Sequence, residues 1–314
     1  MNILTFLYIF FGISLVWISA QKLEKYSVLS ATKYGVSPFL IGSTVIAFGT
    51  SAPEMLTSLF AAIDNKPVMV VGNVIGSNVA NIALVFGLTL GVLFFKKKKF
   101  SSNPEISLNL IILILSTFLV WAVIAINPFS HYSSLILLLA LLVVIYTWYI
   151  KNTPNKSEFE ETKEKLLVLK LLASLVTLAF AAWLITKAAF NILETIGVGE
   201  LFIGFTVLAI GTSLPEIAAS LALALKGRNE AVAGTLIGSN IFNGLFVLAI
   251  PGIAGSYGDF NYSQWIPLLT LLLFVTVIFC IYIFVRTKTP KRASLNISIL
   301  LFISYFLSLS LAYR

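Results

Sequence analysis

Gly49-Thr50-Ser51-Ala52-Pro53-Glu54 is answered 162 positions later by Gly211-Thr212-Ser213-Leu214-Pro215-Glu216. The two hexapeptides sit inside a longer duplication. Residues 42–85 align without a gap to 204–247, with 20 of 44 positions identical. A second shared block follows each hexapeptide: Gly76-Ser77-Asn78-Val79-Ala80-Asn81 and Gly238-Ser239-Asn240-Ile241-Phe242-Asn243. Each copy therefore sets one carboxylate, several hydroxyls and several amides into an otherwise apolar segment.

The surroundings of these copies say where they lie. The chain is 59% hydrophobic and 11% charged, with a mean hydropathy of +0.99. A soluble domain of 314 residues cannot hide so much apolar surface, so the solvent is lipid. The net charge of +8 does not indicate a nucleic-acid partner, because the cations fall between the apolar runs. The single cysteine, Cys280, can form no internal disulfide and reads as a small packed residue. His131, the only histidine, falls in a short loop over 127–132 and reads as solvated. No basic segment precedes the first apolar run, which reads as a retained span rather than a removed leader.

Runs long enough to cross about 30 Å of hydrocarbon occur near 3–20, 37–63, 67–95, 105–126 and 132–150, then near 166–190, 200–225, 230–255, 264–285 and 293–311. The predicted fold is an all-α membrane protein of ten transmembrane helices. It divides into a first five-helix repeat (1–150), a polar linker (151–165) and a second five-helix repeat (166–314). The odd-numbered connections hold 18 of the 21 Lys and Arg residues. By the positive-inside rule they are cytoplasmic, the linker included, and both termini lie outside. The run Lys96–Lys99 reads as a topology anchor. Five spans separate the two copies, so they cross in opposite senses. Inverted repeats of this kind let one chain build inward- and outward-open states.

Of thirteen Asp and Glu residues, eleven fall in connections or at the expected helix ends, Glu24 among them. Only Glu54 and Glu216 lie deep within spans, near the middle of spans 2 and 7. A charge at that depth costs from about 3 to more than 10 kcal/mol, and no Lys or Arg lies at comparable depth. A bound cation is the expected compensation. Gly49 and Gly211 loosen the two helices, and Pro53 and Pro215 remove an N–H and crowd the preceding turn. Spans 2 and 7 are therefore expected to be discontinuous, with carbonyls freed over 47–50 and 209–212. Irregular backbone at membrane depth is tolerated where it lines a cavity.

The donors that result are all oxygen: two carboxylates, the Thr50, Ser51, Thr212 and Ser213 hydroxyls, and backbone carbonyls. Spans 3 and 8 add Ser77, Asn78, Asn81, Ser239, Asn240 and Asn243. Ser77 and Asn81, like Ser239 and Asn243, are four residues apart and share a helix face. Hard cations take such ligands, Ca²⁺ six to eight of them at about 2.3–2.6 Å. The lack of thiolate or imidazole argues against zinc or copper. Gly72, Gly76, Gly234 and Gly238 read as close-packing positions that bring spans 2, 3, 7 and 8 together.

With two GTS-x-PE motifs, each followed by a GxxIGSNxxN segment, the whole chain resembles the cation/Ca²⁺ exchanger superfamily, in particular its prokaryotic sodium/calcium exchangers. The resemblance implies antiport of Ca²⁺ against Na⁺ by alternating access, with spans 1 and 6 sliding across the core. It implies that Glu54 and Glu216, with the carbonyls of Thr50 and Thr212, hold Ca²⁺. Ala47, Thr50 and Ser77 would join Glu54 at one outer Na⁺ site, and Ala209, Thr212 and Ser239 would join Glu216 at its mirror. Asn81 and Asn243 would flank the centre. Family members often carry aspartate where this chain has Asn243, so two negative charges remain here. One Ca²⁺ or two Na⁺ would neutralise them, and three Na⁺ would leave +1. The family's usual acidic residue for K⁺ co-transport is also missing near this position.

The expectation is thus a multi-pass antiporter of the plasma membrane. Ca²⁺ and Na⁺ are its substrates, with no cofactor, no nucleic acid and no obligate protein partner. The alternative within the superfamily is a Ca²⁺/H⁺ antiporter, in which protons on Glu54 and Glu216 couple transport. Against it, the segment 72–77 lacks the glutamate usual in the proton-exchanging branch. An intramembrane hydrolase using Ser51 or Ser213 would lack a His or Lys to activate the hydroxyl. A passive channel lacks the need for inverted repeats.

Overall fold

The computed structural model describes residues 3–100, 106–151, 166–196, 209–256, 258, 261–285 and 291–312. The linker over 152–165 and the start of span 7 at 200–208 lie outside the described residues. Ten helical spans run through the rest: α1 (Ile3–Tyr34), α2a (Pro38–Thr50) and α2b (Ala52–Ile63), α3 (Pro67–Phe95), α4 (Ser107–Ile126) and α5 (His131–Lys151). The second five are α6 (Leu167–Ile196), α7a (Ala209–Thr212) and α7b (Leu214–Leu225), α8 (Asn229–Ala254), α9 (Tyr262–Val285) and α10 (Lys291–Ala312). Six of them are long and apolar enough to cross a membrane singly, and α2a with α2b makes a seventh, bent by 43°.

Burial orders the spans. In the most apolar stretch of α8, 89% of residues are buried, and in that of α3, 72%, against 28% for α10 and 33% for α5. α3 and α8, which carry the Ser and Asn residues of the duplicated blocks, therefore lie at the centre of the bundle. Large apolar side chains point outward from the periphery, among them Leu115 and Phe118 on α4, Leu142 and Tyr146 on α5, and Ile303 and Phe306 on α10. Outward-facing apolar surface of this extent is what a lipid-solvated protein presents. Buried indole N–H groups still find partners: Trp148 donates to Asn109 Oδ1 at 2.8 Å, and Trp121 to the Tyr262 hydroxyl at 2.7 Å.

Glycine sets the closeness of α2a and α8. A Cβ on Gly234 would stand 2.3 Å from the Phe39 carbonyl oxygen, and one on Gly238 2.3 Å from that of Ser43. From the other side, a Cβ on Gly42 would lie 2.4 Å from the Ala231 carbonyl oxygen. The expected close packing holds at Gly234 and Gly238. Gly72 departs from it: a Cβ there would meet only the Trp265 ring, at an ordinary 3.5 Å.

Three expectations are corrected. α1 does not stop near residue 20 but continues to Tyr34. Its 32 residues make a rod of about 48 Å, so Lys22, Lys25 and Lys33 ride on a helical extension rather than in a loop. Glu24 lies on that extension, buried at 4% exposure, with Lys226 Nζ 2.8 Å from its carboxylate. A partner from the far repeat lets a carboxylate be buried where the sequence alone suggested solvent. His131 is the first residue of α5, although exposed as expected. Cys280 is buried and packed, its thiol directed to the Leu110 carbonyl.

Candidate cation site

The Gly-Thr-Ser-x-Pro-Glu hexapeptides break both helices. In the first copy Ser51 leaves helical geometry (φ −82°, ψ 4°) and a new helix starts at Ala52. Ser213 does the same in the second (φ −81°, ψ 1°). Pro53 and Pro215 fall at the start of the new helices, where a missing N–H costs nothing. Glu54 and Glu216 thereby enter the first turns of α2b and α7b, where the positive end of the helix dipole favours a carboxylate.

Ser51-Ala52-Pro53-Glu54 has the Ser-x-x-Glu spacing of a capping box, yet Ser51 makes no capping bond. Its hydroxyl instead donates to Glu216 Oε1 of the opposite repeat at 3.1 Å. Ser239 Oγ donates to the same oxygen at 3.3 Å, and lies 3.5 Å from Thr50 Oγ1 and from the Ala47 carbonyl. The two repeats therefore interlock at one place. Each carboxylate faces hydroxyls from both: Glu54 those of Thr212 and Ser77, Glu216 those of Thr50, Ser51 and Ser239. Glu54, Glu216, Ser51, Ser213, Ser77, Ser239, Asn81 and Asn243 are all buried to 1% exposure or less, and Thr50 and Thr212 to 2% or less. Ala47 is fully buried. Ala209 begins α7a.

Most of these polar atoms lack a protein partner. Among the described residues, sixteen buried side-chain oxygens and nitrogens have no hydrogen bond, and twelve belong to the duplicated segments. They include both oxygens of Glu54, Oε2 of Glu216, the Ser213 hydroxyl, and the whole carboxamides of Asn81 and Asn243. Orphans are few in native interiors, and each costs about 1–3 kcal/mol unless something supplies a partner. Two buried carboxylates with hydroxyl and amide oxygens around them are a donor set of the kind hard cations take. No group of three or more His, Cys, Asp or Glu side chains that could hold a metal occurs among the described residues.

One backbone expectation needs correction. The Ala47 carbonyl is not released by the break, because it accepts the Ser51 N–H at 3.0 Å. It also lies 3.3 Å from the Thr50 hydroxyl and 3.5 Å from that of Ser239. Loosening occurs instead at two places without a sequence flag. Residues Gly42–Ile46 form a π-helical turn just before the break, and Ala80–Phe86 form another that carries Asn81. Such turns are frequent at functional sites, but no proline or other marker in either stretch betrays them. Gly49 also has a second role, since a Cβ there would lie 2.5 Å from the Leu175 side chain of α6.

A ten-span bundle with inverted repeats meeting at two buried carboxylates defines a membrane transporter for cations. The chain belongs to the sodium/calcium exchanger protein family, whose model matches residues 4–150 and again 166–314. Over 298 residues it is 29% identical to the inner membrane protein YrbG of Escherichia coli, covering 90% of this chain and 89% of that one. It is 24% identical over 345 residues to the sodium/calcium exchanger MaX1 of Methanosarcina acetivorans, covering 96% and 97%. Among solved structures it is similar to the sodium-calcium exchanger NCX_Mj soaked with Na⁺ and Ca²⁺, with a TM-score of 0.81, 26% identity and 99% of both chains covered. This chain is accordingly an integral, multi-pass cation/Ca²⁺ antiporter built as two inverted five-helix repeats, and not an enzyme. The ions it moves are cargo rather than cofactors.

Proposed function

We propose that the protein exchanges Ca²⁺ for Na⁺ by alternating access across the cell membrane, with both termini outside. Residues 1–150 and 166–314 form the two halves, and 151–165 form a cytoplasmic linker. Ca²⁺ sits between Glu54 and Glu216, with the carbonyls of Thr50 and Thr212. One Na⁺ site uses Ala47, Thr50, Ser77 and Glu54, and its mirror uses Ala209, Thr212, Ser239 and Glu216. Ser51, bonded to Glu216, and Ser213, whose hydroxyl is unpartnered, add their hydroxyl oxygens to the ion site, and Asn81 and Asn243 flank the centre.

The observation that carries this reading is the cluster of buried, unpartnered oxygens around Glu54 and Glu216. A proton could discharge a carboxylate without help. The hydroxyls facing each carboxylate are what a dehydrated Na⁺ requires and a proton does not. The names of NCX_Mj and MaX1, both sodium-calcium exchangers, support the same coupling ion. An open apolar groove of about 1170 Å³, lined by exposed side chains such as Phe60 and Val176, runs along α2a, α2b, α5 and α6 and reaches Gly49, Pro53 and Thr212. It supports movement of α6, together with α1, against the core.

The test is ⁴⁵Ca²⁺ uptake into proteoliposomes under an imposed Na⁺ gradient or an imposed pH gradient. Uptake driven by the outward Na⁺ gradient and indifferent to pH is expected. Uptake that follows the pH gradient and ignores Na⁺ would make this a Ca²⁺/H⁺ antiporter.

A further inference from the structure

The two halves of the site are not equivalent, and the difference traces to one position. Ser239 donates to Glu216 Oε1 at 3.3 Å, nearer than the Ala47 carbonyl at 3.5 Å. Its repeat mate, Ser77, turns its proton the other way and donates to Asn73 Oδ1 at 3.4 Å. Glu54, the mate of Glu216, is faced by the Ser77 and Thr212 hydroxyls, yet among the described residues neither of its carboxylate oxygens accepts a hydrogen bond. Asn73 is 2% exposed and is anchored by its own amide, which donates to Ser58 Oγ at 3.0 Å and reaches Thr57 Oγ1 and the Glu54 carbonyl at 3.4 Å. The residue 162 positions on is Thr235, whose hydroxyl returns to its own helix at the Ala231 carbonyl, 2.9 Å away. Among the described residues of the second repeat, nothing therefore draws Ser239 off its carboxylate. Ser220, the mate of Ser58, is left without a partner.

We infer that Asn73 is a positioning residue that pre-organises the Glu54 half of the site for an alkali cation and so makes the two Na⁺ sites unequal. By accepting the Ser77 proton, Asn73 turns the lone pairs of Ser77 Oγ towards the cavity beside Glu54. A Na⁺ arriving there meets oxygens that need no rearrangement. At Glu216 the same ion must first displace the Ser51 and Ser239 protons from the carboxylate, and that loss is subtracted from its affinity. The Glu54 site fills first and the Glu216 site second. The inference rests on Na⁺ being the coupling ion.

The experiment measures half-saturating Na⁺ for Na⁺-driven ⁴⁵Ca²⁺ uptake in proteoliposomes, alongside the maximal rate. Asn73→Thr copies the second repeat into the first, and Thr235→Asn copies the first into the second. One hydrogen bond's worth of pre-organisation corresponds to about fivefold. Asn73→Thr should raise half-saturating Na⁺ by about that factor, and Thr235→Asn, whose new carboxamide can take the Ser239 proton, should lower it. A merely structural role for Asn73 would reduce the maximal rate and leave half-saturating Na⁺ in place. That result, or shifts of the same sign in both variants, would overturn the inference. Should Asn73→Thr not fold, Thr235→Asn alone decides by the sign of its shift. Loss of Na⁺ dependence in the wild type itself would instead remove the coupling ion.

Discussion

Glu24 of α1 and Lys226, just past α7b, form an ion pair of 2.8 Å that joins the two repeats, with Glu24 4% exposed and Lys226 58% exposed. The pair is lopsided. Lys226 keeps most of its hydration and Glu24 keeps almost none, so each removal has a different cost. Lys226→Gln strands a buried carboxylate, whereas Glu24→Gln leaves an ammonium that water can solvate. Lys226→Gln should destabilise by about 2 kcal/mol, and Glu24→Gln by much less. The double variant should recover most of the loss. Thermal melts of the detergent-purified protein, arranged as a double-mutant cycle, measure this. Equal losses in the two single variants would contradict it.

Glu54→Gln and Glu216→Gln should each abolish exchange, because each removes half the charge that opposes the ion. A hundredfold loss of apparent Ca²⁺ affinity, about 2.7 kcal/mol, is a lower bound. The two carboxylates also repel each other inside the bundle. In cation-free buffer each variant should therefore melt no lower than wild type. Inactivity without instability separates a ligand from a folding residue. Wild-type ⁴⁵Ca²⁺ uptake in either variant would remove that residue from the site.

Asn243 is fully buried, with both carboxamide atoms unpartnered. Asn243→Asp adds a third negative charge beside the other two without changing side-chain size. At alkaline pH, half-saturating Ca²⁺ should fall at least about tenfold, which needs only about 1.4 kcal/mol. On acidification the added carboxylate takes a proton and becomes nearly isosteric with the native amide, so the gain should disappear. A Ca²⁺ titration of uptake at several pH values tests both parts. A variant with the wild-type pH profile would place Asn243 away from the ion.

The ten spans and the two broken helices were legible because lipid forces the sequence to declare itself. A span must be apolar for about 20 residues, and a buried carboxylate without a cation stands out against such a background. Glu54 and Glu216 were visible for that reason. The duplication made Ser77, Ser239, Asn81 and Asn243 visible by repetition. What stayed hidden depends on contacts between residues far apart in the chain. Nothing near Glu24 announces Lys226, and nothing in Ser51-Ala52-Pro53-Glu54 says that its hydroxyl serves Glu216 instead of its own helix. The π-helical turns at Gly42–Ile46 and Ala80–Phe86 likewise carry no proline to announce them.

Gly234 and Gly238 at the α2a–α8 contact, set beside Gly72 on α3, the repeat mate of Gly234, offer a test in which duplicated glycines should behave differently. A Cβ at Gly234 or Gly238 would lie 2.3 Å from a backbone carbonyl oxygen of α2a. No rotamer change can relieve a clash with backbone, so alanine there must push the two helices apart. That displacement moves Ser239 from Ala47 and Thr50, and unpacks the fully buried Ile46 and Ile237. Overpacking of this kind costs about 1–3 kcal/mol or more. At Gly72 the same substitution meets an aromatic ring at 3.5 Å, an ordinary contact, and alanine also favours the helix by about 1 kcal/mol. Gly234→Ala and Gly238→Ala should therefore lower the melting temperature and the exchange rate together, and Gly72→Ala should leave both near wild type or slightly raised. A uniform response across the three glycines would mean that α2a and α8 can shift freely, and that their close approach does not hold the site in shape.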